Sequence, residues 1–297
     1  MRKTITIAAG GLRAEIVPSL GGGLAHLDML GDRSPVPIFR PWPEGGTDDP
    51  NRLASYVLVP WSNRISGRGF RFEGRFHPLE PNFPGEPFPL HGNGWTSEWA
   101  VSGRTTELVS LAFVSDGPGS FRYSAALGYE IDATSLTMRL NVTTRADHPL
   151  PYGLGFHPWL IRTARTRLEA PAAGVWLEDK CHLPIGSAPV SSREDWDFTF
   201  MQPLPDGWIN NGFGGWNRRA SVEWLEYGMA LDIEASDALS TYLLYSPGAE
   251  AEFFYFEPVS HPVDAHNLPG GPNANGLQIL RCGESFEITC RFALRRL

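Results

Sequence analysis

Of the 297 residues, Glu257 is the least expected in its place. It ends FFYFE, where four aromatics read as an apolar strand, and a carboxylate there costs desolvation energy unless it is paired or used. A structural ion pair and a proton-accepting base are both consistent with that position. His157 is the second group of this kind. In PYGLGFHPWL, residues 151–160, it stands between Phe156 and Trp159, and Pro158 fixes the chain just after it. Burial among aromatics lowers an imidazole's pKa and a nearby carboxylate raises it, so this histidine can be poised near neutrality. His91, in FPLHGNGW, is followed by Gly92 and Gly94, which let backbone approach a ligand closely. Asn63 and Arg64, in PWSNRISGRGF, precede a glycine-punctuated hairpin and should sit at a strand end facing a cleft. The plain alternatives are a satisfied loop histidine and a solvated turn.

The other constellations are weaker. His261, Asp264 and His266 lie close together but match no metal-ligand spacing, and Pro262 interrupts any regular face, so no metal is expected. Neither GxSxG nor HExxH occurs, and no glycine cluster joins a strand to a helix as a phosphate cradle requires. Lys3 and Lys180 are the only lysines, and neither has the apolar surround that Schiff-base chemistry needs. Proton transfer by carboxylate and imidazole, which needs no cofactor, is the chemistry these side chains could do.

These residues must be carried by strands. Period-two alternation marks Leu12–Val17 and residues 70–76, 136–143, 229–233 and 241–245, with glycine, proline, asparagine and aspartate clustered between them. Residues 82–89 and 263–275 are too dense in proline and glycine to be either helix or strand, which predicts ordered loops. A last strand is expected over residues 285–294. No linker, charge run or repeat divides the chain, so residues 1–297 read as one antiparallel β-sandwich domain with few short helices. A net charge of −8 argues against a nucleic-acid partner. No stretch approaches the roughly 20 apolar residues of a membrane helix. The three cysteines, Cys181, Cys282 and Cys290, form no CxxC pair, which fits reduced thiols in a cytoplasmic protein.

The order NRI, HG, GLGFHPW, EPVSHPVDAHN and GLQILRCGES resembles the aldose 1-epimerase (galactose mutarotase) family, and LRAEIVPSLGGGLAHLDM is similar to its opening strand pair. The resemblance runs from about residue 10 to the end and is closest to a bacterial epimerase-like branch. It implies a large β-supersandwich that interconverts the α and β anomers of a hexose. On it, Glu257 would be the general base, His157 the general acid, and His91, Arg64 and Asn63 the groups that orient the sugar. Ring opening needs one proton taken from the anomeric hydroxyl and one given to the ring oxygen, which a base and an acid on opposite sides of the ring supply. The face of Trp159 could stack on the sugar. The family's sugar-binding aspartate falls at Asn210, in WINNGFGGW, which puts galactose specificity in question; Asp206 is a nearby carboxylate for that role. The expected partner is therefore a small-molecule sugar, with monomer and homodimer both open. Two other functions share the scaffold: a non-catalytic sugar-binding or regulatory protein, and a hexose-6-phosphate 1-epimerase that would recruit Arg64, Arg68 and Arg71.

Overall fold

The structure, a computed structural model, describes residues 2–31 and 34–297. Two antiparallel sheets face each other. The larger has 11 strands, and its centre runs Ser55–Leu58, Gly155–Ile161, Phe253–Val259, Thr241–Ser246 and Ile209–Gly214, ending at Gly174–Glu178 and the edge strand Pro184–Pro189. The opening pair Leu12–Val17 and Gly23–Met29 joins its other side. The smaller sheet has nine strands, with Ser285–Arg296 paired between Ser135–Thr144 and Met229–Ala235. The helical turns among the described residues are 3-10 turns of three residues.

Side-chain alternation explains how one strand serves two cores. Phe254 and Phe256 point between the sheets, where they join Phe156, Val57, Tyr242 and Leu244. Tyr255 and Val259, alternating with them, point to the outer face and pack with a second cluster around Tyr56, Leu58, Trp95 and Leu243. The large sheet is thus covered on both faces over its centre, which is why FFYFEPV is nearly continuous in apolar residues. Each buried aromatic is a large contribution; truncating one such as Phe256 to alanine costs roughly 3–5 kcal/mol.

Residues 70–76 do not form one strand. Gly69–Phe72 and Arg75–Pro78 form a hairpin whose tip, Glu73–Gly74, has φ of 47° and 77°. A two-residue turn with both φ positive preserves the parity of the alternation, so the pattern runs through the turn unbroken. The other expected strands are present, slightly extended: Ser135–Thr144, Met229–Ala235, Thr241–Ser246 and Ser285–Arg296.

Candidate active site

Strand register sets the chemistry in two rows on the outer face of the large sheet. His157 pairs with Tyr56, and the register that sets Gly155 against Val259 and Trp159 against Tyr255 brings His157 opposite Glu257. In the next row Trp159, Tyr255, Tyr245 and Asn210 follow one another across four strands. Neighbouring strands lie about 4.8 Å apart, so side chains within a row meet. His157 Nε2 is 2.9 Å from Glu257 Oε1, and both residues are buried. The expectation that a sugar's width separates the two groups is not met, because adjacent strands in register leave only one strand spacing between them.

Burial is the dominant influence on this pair. It pushes the Glu257 carboxyl well above the usual carboxylate range, opposed by the nearby Arg64, and holds His157 well below an ordinary histidine. Burial thus opposes charge on each group while their contact favours the ion pair, and the charged and uncharged pairs differ only in the position of one proton along that contact. Glu257 Oε2 and His157 Nδ1 are buried without a hydrogen-bond partner among the described residues.

Two loops close the pocket above the rows. His91 N–H donates to the Asn63 carbonyl at 3.0 Å, and Asn63 N–H donates back to His91 Nδ1 at 3.0 Å. That second bond makes Nδ1 an acceptor, so the proton of this buried, neutral imidazole sits on Nε2. Both residues are in the left-handed region, at φ 57° and 56°. Gly92 follows where a Cβ would lie 2.1 Å from the Val59 carbonyl oxygen, so only glycine lets the two loops approach. Arg64 is not a free cation. Its Nε and Nη2 bond Glu86 at 2.9 and 2.7 Å, and Nη1 bonds Asn63 Oδ1 at 3.2 Å. Trp159 lines the pocket, but Arg40 lies 3.9 Å over one ring face, leaving only the rest for a ligand.

The resulting cavity of about 360 Å³ gathers every proposed site residue: Asn63, Arg64, His91, His157, Trp159, Asn210 and Glu257. It suits a small ligand. It also holds residues that the sequence reading did not single out. Glu86 lies in the proline-rich loop expected at residues 82–89, where nothing in its spacing marks a partner for Arg64. His182 reaches the cavity from the tip joining Gly174–Glu178 to Pro184–Pro189, at φ 60°. Asp179 shapes that tip by accepting from Cys181 N–H and Leu183 N–H, at 2.7 and 3.0 Å. His182 Nδ1 is 3.1 Å from Glu178 Oε2 and 3.2 Å from the Asn210 amide nitrogen, while Tyr255 O–H donates to Asn210 Oδ1 at 2.5 Å. Burial raises Glu178 to about 8, with Asp179 and Glu257 adding to the rise and Arg64 opposing it.

Other candidates lie elsewhere. Asp206 is outside this cavity, on the wall of a neighbouring one, so it does not take the role that Asn210 leaves open. His261, Asp264 and His266 do not converge. His261 accepts from Ser62 N–H at 3.1 Å, Asp264 accepts from Ser66 N–H at 2.9 Å, and His266 donates to the Pro151 carbonyl at 3.0 Å. Arg68 pairs with Glu80 on the surface, and Arg71 sits 5.7 Å from the Phe76 ring centroid; neither lines the cavity. A larger cavity of about 690 Å³, around Leu12, Met29, Met229 and Leu294, is lined by no histidine or carboxylate among the described residues.

A sequence model of the family described as Aldose 1-epimerase matches residues 3–293. The uncharacterized protein YphB of Escherichia coli K12 is 33% identical over 247 residues, 80% of this chain and 83% of that protein. A crystal structure of a candidate aldose 1-epimerase from Escherichia coli K12 superposes with a TM-score of 0.90 at 30% identity, covering 99% of each chain. A galactose mutarotase-like protein from Clostridium acetobutylicum superposes at 0.87 with 19% identity, over 100% of this chain and 96% of that one, a likeness of fold.

Proposed function

The chain belongs to the aldose 1-epimerase family, and from that premise we propose that it interconverts the α and β anomers of an uncharged hexose, with His157 and Glu257 as its acid–base pair. The observation that carries this is the buried 2.9 Å contact between them. The anomeric oxygen and the ring oxygen are bonded to the same carbon. A base and an acid side by side therefore reach both, and no group is needed on the far side of the ring. Glu257, as carboxylate, takes the proton of the anomeric hydroxyl, while His157, as imidazolium, gives one to the ring oxygen. The anomeric C=O forms as the bond from C1 to the ring oxygen breaks. The aldehyde rotates about C1–C2. On reclosure His157 takes its proton back from the attacking hydroxyl and Glu257 returns one to the new anomeric oxygen, so both groups end as they began. A sugar entering the site replaces the contact between the pair with its own two oxygens.

The remaining groups orient. His91 offers Nε2–H, Asn63 and Asn210 offer amide edges, and Trp159 offers its uncovered surface. The binding groups are neutral or internally neutralised, since Arg64 is engaged by Glu86 and the cavity's other charges are carboxylates. That supports a sugar without phosphate. Polarimetry on freshly dissolved α-sugars tests the reading: at least one hexose should reach anomeric equilibrium faster with the protein, and a panel without acceleration would leave a non-catalytic sugar-binding protein instead.

A further inference from the structure

The cavity of about 690 Å³ lies between the ends of the two sheets. Leu12 and Met29 line it from the large sheet, and Met229 and Leu294 from the small one. Two leucines and two thioethers make walls that are apolar and adapt to the shape of a guest. Cavities of roughly 300–1,000 Å³ with mostly apolar walls and a few polar groups are the usual form of a small-molecule site. Among the described residues, none is shared with the pocket around His157 and Glu257.

Parity along Ser285–Arg296 places a charge at the mouth of this cavity. Phe286, Ile288, Cys290 and Phe292 form the buried row of that strand. Period two carries the same row through Leu294 to Arg296, and both line the cavity. Arg296 is paired in register with the buried Met229. Its neighbour Arg295, of opposite parity, bonds Asp232 and Ser221 instead. Among the described residues no carboxylate lines the cavity or forms an ion pair with Arg296. Asp132, in the adjoining turn, is engaged by Thr134 N–H and Ser135 N–H. Tyr227, 48% exposed, brings a phenol to the same rim. A guanidinium that ends a core-facing row over hydrocarbon reaches toward water, and an anionic head group there gains charge-assisted hydrogen bonds.

We propose that this cavity binds a small amphipathic carboxylate, with its hydrocarbon between the sheet ends and its head group on Arg296. One cation without a carboxylate partner matches one negative charge, and the planar guanidinium fits a carboxylate through two parallel bonds. A free sugar is disfavoured, because its hydroxyls would face leucine and methionine side chains without partners. The site stands apart from the anomerase reading and does not depend on it.

Calorimetry on the full chain with decanoate, and with decanol as its uncharged counterpart, tests the proposal. Decanoate is expected to bind once per chain. Arg296→Gln should weaken it about fivefold or more and leave decanol unchanged, since only the carboxylate uses the guanidinium. Leu294→Trp, which fills the cavity, should weaken both about tenfold; if that variant loses its cooperative melt, Met29→Trp makes the same test from the facing sheet. Absence of saturable decanoate binding refutes the site. An unchanged Kd in Arg296→Gln, or in a folded cavity-filling variant, refutes it equally by putting decanoate elsewhere. Should the face be an interface between copies of the chain, sedimentation would show a dimer that Arg296→Gln dissociates and decanoate leaves intact, and the small-ligand proposal would fall.

Discussion

Replacing Glu257 with glutamine keeps its shape and removes its capacity to take a proton. Glu257→Gln is therefore expected to lower kcat by about 10²–10⁴-fold while sugar binding, measured by calorimetry, changes little. His157→Asn should cost at least about 10²-fold by the same argument. His91→Asn should instead raise KM, about tenfold, at nearly constant kcat, because its Nε2–H holds ground state and transition state alike. Equal losses of kcat in the two histidine variants would reverse these roles. The pH profile of kcat/KM should be bell-shaped with a broad plateau, spanning the range in which the pair shares one proton; its limbs belong to the pair and not to either residue. Glu178 adds a separate effect. Below about pH 8 its O–H can donate to His182 Nδ1, which leaves Nε2–H as a donor to the sugar. Above that pH the carboxylate draws the proton to Nδ1, and Nε2 becomes an acceptor. KM should rise through pH 8 in the wild type and stay flat there in Glu178→Gln. Of these residues, Glu257 and His157 were legible in the sequence because a carboxylate after four aromatics and a histidine between Phe156 and Trp159 break the local pattern. Glu86 and His182 were not, since a polar residue in a polar loop breaks nothing.

At the scale of elements, the strands hold the proposed proton-transfer pair together with Trp159 and Asn210, and the loops hold Asn63, Arg64 and His91. The 60–66 loop is fastened from the segment after Glu257. Asp264 accepts from Ser66 N–H and Oγ–H at 2.9 and 2.7 Å, and its own N–H donates to the Arg64 carbonyl at 3.0 Å. His261 receives Ser62 N–H, and Gly153 makes room for its ring, since a Cβ there would lie 2.1 Å from Nε2. Removing the Asp264 side chain should loosen Asn63 and Arg64 without touching the acid–base pair. Asp264→Ala is expected to cost roughly 1–3 kcal/mol in urea unfolding and to raise KM more than it lowers kcat; Asp264→Asn should recover much of both. The strands were readable from period two because the sheets set that period. The metal-like grouping of His261, Asp264 and His266 was unreadable as fastening because its bonds join residues far apart in the chain, Asp264–Ser66 by 198 positions, His261–Ser62 by 199 and His266–Pro151 by 115, which no spacing rule can reveal. The hairpin over Glu73–Gly74 was hidden for the opposite reason, its turn being too short to disturb the alternation.

For the whole molecule, buried ionisable groups set an optimum of stability. Burial lowers His261 to about 4 and His266 to about 3, while an unfolded histidine titrates near 6.5. The unfolded chain thus binds more protons as pH falls below 6.5, so their contribution, complete above that pH, is lost toward pH 4 and 3, by roughly 3–5 kcal/mol each. Glu178 and Glu257, raised by burial, act with the opposite sign: the native state holds their protons above pH 4.5, and stability falls as pH rises from there. Burial lowers His91 and His157 as well, so four histidines outweigh two carboxyls below pH 6.5; melting temperature should therefore peak between about pH 6 and 7, and a maximum above pH 8 would contradict the burial of these carboxyls. The edge strand Pro184–Pro189 has a consequence of another kind. Of its six residues, PIGSAP, the two terminal prolines carry no N–H, and Gly186 interrupts the run between them. A second polypeptide laid along that margin finds donors missing at both ends, and fibrous stacking of one sheet onto the next is blunted there. Concentrated solutions are expected to stay dispersed at this edge, and Pro184→Val with Pro189→Val should make them turn viscous or cloudy before any loss of melting temperature.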